Sequence, residues 1–168
     1  MTWKFEDAAP KIGSITEGNV WDGKNMLYSN IALSRIMNYD PATGLVTVWK
    51  ENTEHTNGLN YDSNGRLFGC SGGGRKIVRF DEGNMVTISD RLEGRKLNGP
   101  NDLAITPSGS IYFSDRIGDL SPFSPTDGQV GSNIGIDHSS IISAEPQPDG
   151  TYITVRRTFD TTMPNGLL

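Results

Sequence analysis

The 168-residue chain has one cysteine, Cys70, and two histidines, His55 and His138. A lone cysteine excludes an internal disulfide, and so few soft donors leave little from which to build a zinc centre. No apolar run approaches the roughly 18 residues that cross a membrane. Lysine and arginine never run beyond two in a row and the net charge is −5, which argues against a nucleic-acid partner. The opening stretch, MTWKFEDAAPKIG, lacks the charged, apolar and small-residue order of a secretory leader. Together these absences predict a cytoplasmic protein with no membrane and no nucleic acid to bind. Helix formers do not cluster anywhere.

Turn residues are plentiful instead: 20 glycines and nine prolines, spread along the chain. That composition suits a turn-rich β protein. The turns also recur. TEGNVWDGKNMLYSN (16–30), TNGLNYDSNGRLFGC (56–70) and PNDLAITPSGSIYFS (100–114) follow one pattern, and PNGLL (164–168) begins a fourth copy. Each copy has a polar residue, then Gly or Asp, an apolar strand, a short turn and a second strand. Aligned on Glu17, Asn57, Asn101 and Asn165, the copies are spaced by 40, 44 and 64 residues. The second half of each unit repeats too: RIMNYDPATGLVTVW (35–49), KIVRFDEGNMVTI (76–88) and SIISAEPQPDGTYITV (140–155) each read as two alternating strands around a turn.

Four short strands per roughly 40–45 residues is the period of a β-propeller blade. The same hairpins could build a β-sandwich, but the recurrence of all four strands in order favours the propeller. The predicted blades are about 14–55, 56–99 and 100–163, with 164–168 as the first strand of another. The third unit is lengthened by an inserted loop at 116–137, rich in Gly, Ser, Pro and Asp. TWKFED near the start reads as a strand completing the last blade of a closed ring. Propellers close with about four to eight blades, so three blades are expected to be part of a larger ring: a truncated chain, one piece of a cleaved chain, or a protomer that closes by association with its missing remainder or a second copy. Such an arc on its own is expected to be neither a stable monomer nor active.

In a propeller the first strand of every blade lines the central channel, so equivalent positions come to one height. Glu17, Asn57, Asn101 and Asn165 are such positions. One carboxylate with several amide oxygens suits a hard cation, Ca²⁺ or Mg²⁺. Repeated Asn-Gly is also good turn chemistry; that explanation stands beside the ligand reading at Asn57 and is weakest at Glu17, because Glu is not a turn residue. GCSGG (69–73) matches the nucleophile elbow G-x-S-x-G, but the elbow needs a helix behind it, and RKIVRF alternates like a strand. GGGRK lacks phosphate-loop spacing. His55, just before Asn57, is a candidate for the channel mouth, though a hydrogen-bonded surface histidine is commoner.

The runs TEGNVWD, NGLNYDSNGRLFGC, GRKLNGPNDLAITPSGSIYFSD and MPNGLL resemble the SMP-30/gluconolactonase/LRE-like family, from about residue 14 onward. The resemblance implies a six-bladed calcium-dependent propeller that hydrolyses lactones, of which about half is absent from this chain. It implies Glu17, Asn101 and Asn165 as calcium ligands (with Mg²⁺, Mn²⁺ or Zn²⁺ as other divalent options) and a fourth ligand, an Asp that serves as general base, beyond the chain. Asn101 and Asp102 are the expected catalytic pair, Asp102 orienting Asn101. Asn57 and Asn101 are expected to reach substrate, and Asp115, closing SIYFSD, is a further carboxylate near the same mouth. Asn19 and Arg116 depart from the proline common in the family, neither at an implied ligand position. The implied reaction is metal-assisted opening of a lactone by water. A sugar lactone, a small lactone and a phosphotriester all stay open as substrates. A non-enzymatic binding scaffold or an inactive hydrolase fragment is the alternative.

Overall fold

The structure is a computed structural model that describes residues 3, 7, 15–82, 84–117 and 135–168. It is all β. Three four-stranded antiparallel meanders follow one another along the chain. The first is β1 (Thr16–Trp21), β2 (Met26–Asn30), β3 (Arg35–Asp40) and β4 (Leu45–Glu51). The second is β5 (Thr56–Tyr61), β6 (Leu67–Ser71), β7 (Lys76–Asp81) and β8 (Asn84–Ser89). The third is β11 (Pro100–Ile105), β12 (Ile111–Asp115), β13 (Ser140–Pro146) and β14 (Tyr152–Arg156). Strand order in each sheet is sequential, as a propeller blade requires.

The first turn of every sheet is held by the same device. Asp22 Oδ1 accepts the N–H groups of Lys24 and Asn25 at 2.7 and 2.6 Å. Asp62 Oδ1 accepts those of Asn64 and Arg66 at 3.0 and 2.8 Å. In the third sheet Thr106 Oγ1 accepts the N–H of Ser110 at 3.1 Å. Short oxygen-bearing side chains do this because they reach their own backbone two to four residues on. Asp62 is nearly buried; burial alone would raise its carboxyl, yet the bonds from Arg66 and Asn64 outweigh it and hold the group below its usual range.

Side chains alternate between the two faces of a strand, and the middle sheet shows both faces buried. Leu67, Val78 and Phe80 pack with Leu27 and Ile36 of the first sheet. Their neighbours Phe68, Cys70 and Ile77 point the other way, into a cluster with Leu103, Ile111, Phe113 and Ile142 of the third. Innermost strands sit side by side, β1 against β5 and β5 against β11.

The structure adds one element and revises one expectation. A two-stranded hairpin, β9 (Arg91–Leu92) and β10 (Arg95–Lys96), occupies the linker before β11. Its Glu93-Gly94 turn has positive φ at both residues, 51° and 80°, as a tight two-residue hairpin turn requires. Residues 164–168, expected to open a strand, are not in one; a strand needs a hydrogen-bonded partner, and the segment instead lies against Asp102, whose Oδ2 accepts the Leu167 N–H at 3.0 Å. Of TWKFED, only Trp3 and Asp7 are described, neither in a strand, and most of the expected loop, 118–134, also lies outside the described residues.

Candidate metal and substrate site

Three inner strands carry a similar irregularity, one residue later in the first than in the other two. Register shifts fall between Glu17 and Val20, between Thr56 and Leu59, and between Pro100 and Leu103. Before each bulge, Thr16 opposes Asn30, Thr56 opposes Ser71 and Pro100 opposes Asp115. Glu17, Asn57 and Asn101 therefore occupy one repeated position, directly after that pair. Bulges redirect a side chain and sharpen the local twist; Asn57 and Asn101 fall inside the bulge, and Glu17, still paired with Ser29, borders it.

Glycine follows this position in the first two strands for a steric reason. Gly18 has φ of +58°, and a Cβ there would collide with the Asn57 carbonyl of the next strand. A Cβ on Gly58 would lie 2.5 Å from Asp102 Oδ1 and 2.7 Å from its Cα. The missing side chains let the inner strands close up. Ser29 Oγ then donates to the Asn57 carbonyl at 2.6 Å, and Asn60 Nδ2 donates to the Leu103 carbonyl at 3.4 Å.

The strands and the 164–168 segment enclose a pocket of about 510 Å³. Glu17, Asn57, Asp102 and Asn165 line it, with Thr16, Asn19 and Asn60 as further polar residues and Val20, Leu59, Leu103 and Leu167 among the apolar ones. Asn101 precedes Asp102 on β11 and is 6% exposed, so its side chain is not part of the lining. Asp102 is fixed from both sides: its own N–H donates to Ser114 Oγ at 3.1 Å, and its carboxylate takes the Leu167 N–H.

Asp115 stands elsewhere. It is fully buried at the end of β12, outside the pocket lining, and Oδ2 accepts the N–H of Asn98 at 2.9 Å. Burial pushes its carboxyl up to about 6, against the pull of the Asn98 and Gly99 N–H groups and of Arg75. Its carboxylate serves the backbone rather than the mouth. Neither histidine lines the pocket. His55 Nδ1 donates to the Ile31 carbonyl at 2.9 Å, and His138 sits beside Asp137. Ser71 is buried at the end of β6; its Oγ donates to the carbonyl and Oε2 of Glu54, and strand β7 follows. Nucleophile-elbow geometry is absent there.

Asn19 and Asn60 were not marked as candidates by residue type and repeat alone. Asn60 corresponds to Val20 and Ala104 in the neighbouring copies, so the repeat does not mark it as a polar site position.

As a donor set, the lining fits a hard cation. It offers carboxylates on Glu17 and Asp102 and amide oxygens on Asn57 and Asn165, with no sulfur or imidazole. Among the described residues no three His, Cys, Asp or Glu side chains gather, so amide oxygens would have to supply part of any coordination shell.

The profile of the SMP-30/Gluconolactonase/LRE-like region matches residues 15–167. The chain belongs to this family. A gluconolactonase of Zymomonas mobilis subsp. mobilis is 26% identical over 117 residues, 60% of this chain and 33% of that protein. A solved gluconolactonase from Xanthomonas campestris is 28% identical, with a TM-score of 0.72 over 86% of this chain and 48% of the other. An X-ray structure of a provisionally named gluconolactonase is 30% identical, with a TM-score of 0.75 over 91% of this chain and 51% of the other. The chain thus spans about half the length of these solved structures and a third of the curated relative. A calcium-binding regucalcin from Agrobacterium tumefaciens shares the fold at 16% identity and a TM-score of 0.55. Among the described residues there is no helix long and apolar enough to cross a membrane.

Proposed function

We propose that this chain contributes the divalent-cation and substrate site of a gluconolactonase-type hydrolase that opens a lactone ring with water. One observation carries the reading: Glu17, Asn57, Asp102 and Asn165, which lie far apart in sequence, line a single pocket. A non-enzymatic scaffold has no need of two carboxylates and two amides around one pocket. Family membership and the gluconolactonase relatives support lactone chemistry.

In this reading Glu17 and Asn165 hold Ca²⁺ or another hard divalent cation, with Asn57 and Asp102 as the further oxygen donors of the lining; Asn101, which the family resemblance implies as a ligand, lies next to Asp102 with its side chain outside that lining. When bound, such a cation supplies Lewis acidity at a carbonyl oxygen. Asn57 offers an amide donor and acceptor to a hydroxyl or carbonyl of the substrate. Asp102, pinned by Leu167 and Ser114, keeps β11 and the 164–168 segment together and so holds its own carboxylate and Asn165 at one pocket. The apolar side chains Val20, Leu59 and Leu103 exclude water from one wall.

Calcium titration by calorimetry, run beside a lactone-hydrolysis assay, tests this. Glu17→Gln should weaken calcium binding at least ~10-fold, the scale of losing one charged ligand. Unchanged affinity would remove Glu17 from the site. Both measurements are made in the complete ring, where no calcium response from the unsubstituted protein would favour the scaffold instead.

A further inference from the structure

The linkers that lead into β5 and β11 are tied down from the same place. β6 ends on Ser71 and β12 ends on Asp115, and both residues are fully buried. Ser71 Oγ reaches Glu54, at 3.3 Å to its carbonyl and 3.1 Å to Oε2. Asp115 Oδ2 takes the Asn98 N–H at 2.9 Å. Glu54 and Asn98 each lie three residues before the repeated site position, Asn57 and Asn101 respectively. The two contacts are chemically different, a hydroxyl donor in one sheet and a carboxylate acceptor in the other, yet they join the same two points of the blade.

The surroundings reinforce each contact. Glu54 has φ of 50°, a conformation that needs support in a non-glycine residue. It receives that support from Ser71, from the Gly73 N–H on its carbonyl at 3.0 Å and from Lys76 on its carboxylate at 2.9 Å. Asn98 is fully buried, and its Oδ1 accepts the Gly135 N–H at 3.2 Å. One residue on, the Gly99 carbonyl accepts the Arg116 N–H at 3.2 Å. Buried contacts of this kind leave an unsatisfied group if one partner is removed, so they hold the backbone against displacement.

We propose that the buried polar residue ending the second strand is a positioning residue for the site position of its own blade: Asp115 sets Asn101, and Ser71 sets Asn57. Its effect on binding rests on the reading of these asparagines as site residues; its effect on the backbone does not. Asp115 thereby has a role without touching the pocket.

The test is amide hydrogen exchange on the full chain without added cation, followed by calcium titration. Asp115→Ala should speed exchange at the described amides of 98–103 by ~10-fold or more, while the β6–β7 amides stay protected. Asp115→Asn keeps an acceptor oxygen and should restore most of that protection. Ser71→Ala should speed exchange across 54–59 and spare 98–103. Calcium affinity should fall in the same order, Asp115→Ala more than Asp115→Asn. Uniform acceleration in all three sheets would show a purely structural role and overturn the proposal, as would unchanged local exchange or an Asn variant as impaired as Ala. If Asp115→Ala does not fold, the localised exchange of Ser71→Ala decides by the same criterion. Absence of calcium binding in the unsubstituted complete ring would sink the metal site while the exchange result still judges the positioning role.

Discussion

The seam between the first and second sheets and the seam between the second and third are built on one template but closed differently. The first is crossed by a four-residue linker, 52–55, in which Asn52, Glu54 and His55 have φ of 56°, 50° and 55°. Polar contacts hold that linker: the His55 N–H on Ser34 Oγ, the His55 ring on the Ile31 carbonyl, and Ser71 and Lys76 on Glu54. Its apolar cluster is Leu27, Ile36, Leu59, Leu67, Val78 and Phe80, with Trp49 edge-on to Phe80 at 5.7 Å. The second seam has a longer linker that folds into the β9–β10 hairpin and drives Leu92 and Leu97 into the core, 1% and 0% exposed. Ile136 joins them, and the cluster is correspondingly larger. A short linker must accept backbone strain and offset it with hydrogen bonds; a longer one confines positive φ to a hairpin turn and stabilises through apolar burial.

The contrast predicts where the molecule breaks. Phe113→Ala empties the middle of the second seam and should lower stability by about 3–5 kcal/mol. Leu27→Ala, in the smaller first seam, should fall nearer the lower end of the usual ~2–5 kcal/mol. Denaturant titration of both variants is the check, and a larger loss for Leu27→Ala would reverse the ranking of the seams.

At the inner ends both seams depend on a missing side chain. Gly58→Ala would place Cβ against the Cα of Asp102, which cannot move without shifting β11; a loss of roughly 2–3 kcal/mol is expected, in the range of overpacking. Gly18→Ala adds an unfavourable φ to a clash with the Asn57 carbonyl and should be at least as damaging. Both should also reduce calcium affinity, which a distant core variant of equal stability should not.

The second seam also carries a pH response of its own. Asp115 titrates near 6 when folded, above the ordinary value of 3.8. Between these values the folded chain holds the extra proton, so stability falls as pH rises through about 4 to 6. The penalty is complete above that window and absent below it, and is at most ~3 kcal/mol. Asp115→Asn should flatten that part of the stability–pH curve; a persisting slope would assign it to another group. The smallest effect is expected at the first seam's linker, where Ser71→Ala should lower stability by only about 1 kcal/mol.

Much of the fold was legible in the residues. Asp22-Gly23, Ser63-Asn64-Gly65 and Ser108-Gly109 marked the first turn of each sheet, and the alternation in RIMNYD, KIVRFD and SIISAE marked the strands that follow. The grouping of Glu17 with Asn57 came from the same repeat, and both line one pocket. The hairpin at 91–96 was missed, because its strands are two residues long and leave no alternation to read. Asn60 was missed because its neighbours in the repeat are Val20 and Ala104.

Asp115 is the instructive case. Its position at the end of SIYFSD was readable, but not its environment, which depends on Asn98 arriving from a linker 17 residues away and on Ser140 closing over it from β13. Turn chemistry and strand alternation act over two to four residues, so they are written in the order of the chain. Which oxygen faces the channel and which is buried against a backbone N–H depends on bulges, on strand register and on how closely Gly18 and Gly58 let neighbouring sheets approach. Those are distances between segments some 40 residues apart, and they take a value only when the sheets pack.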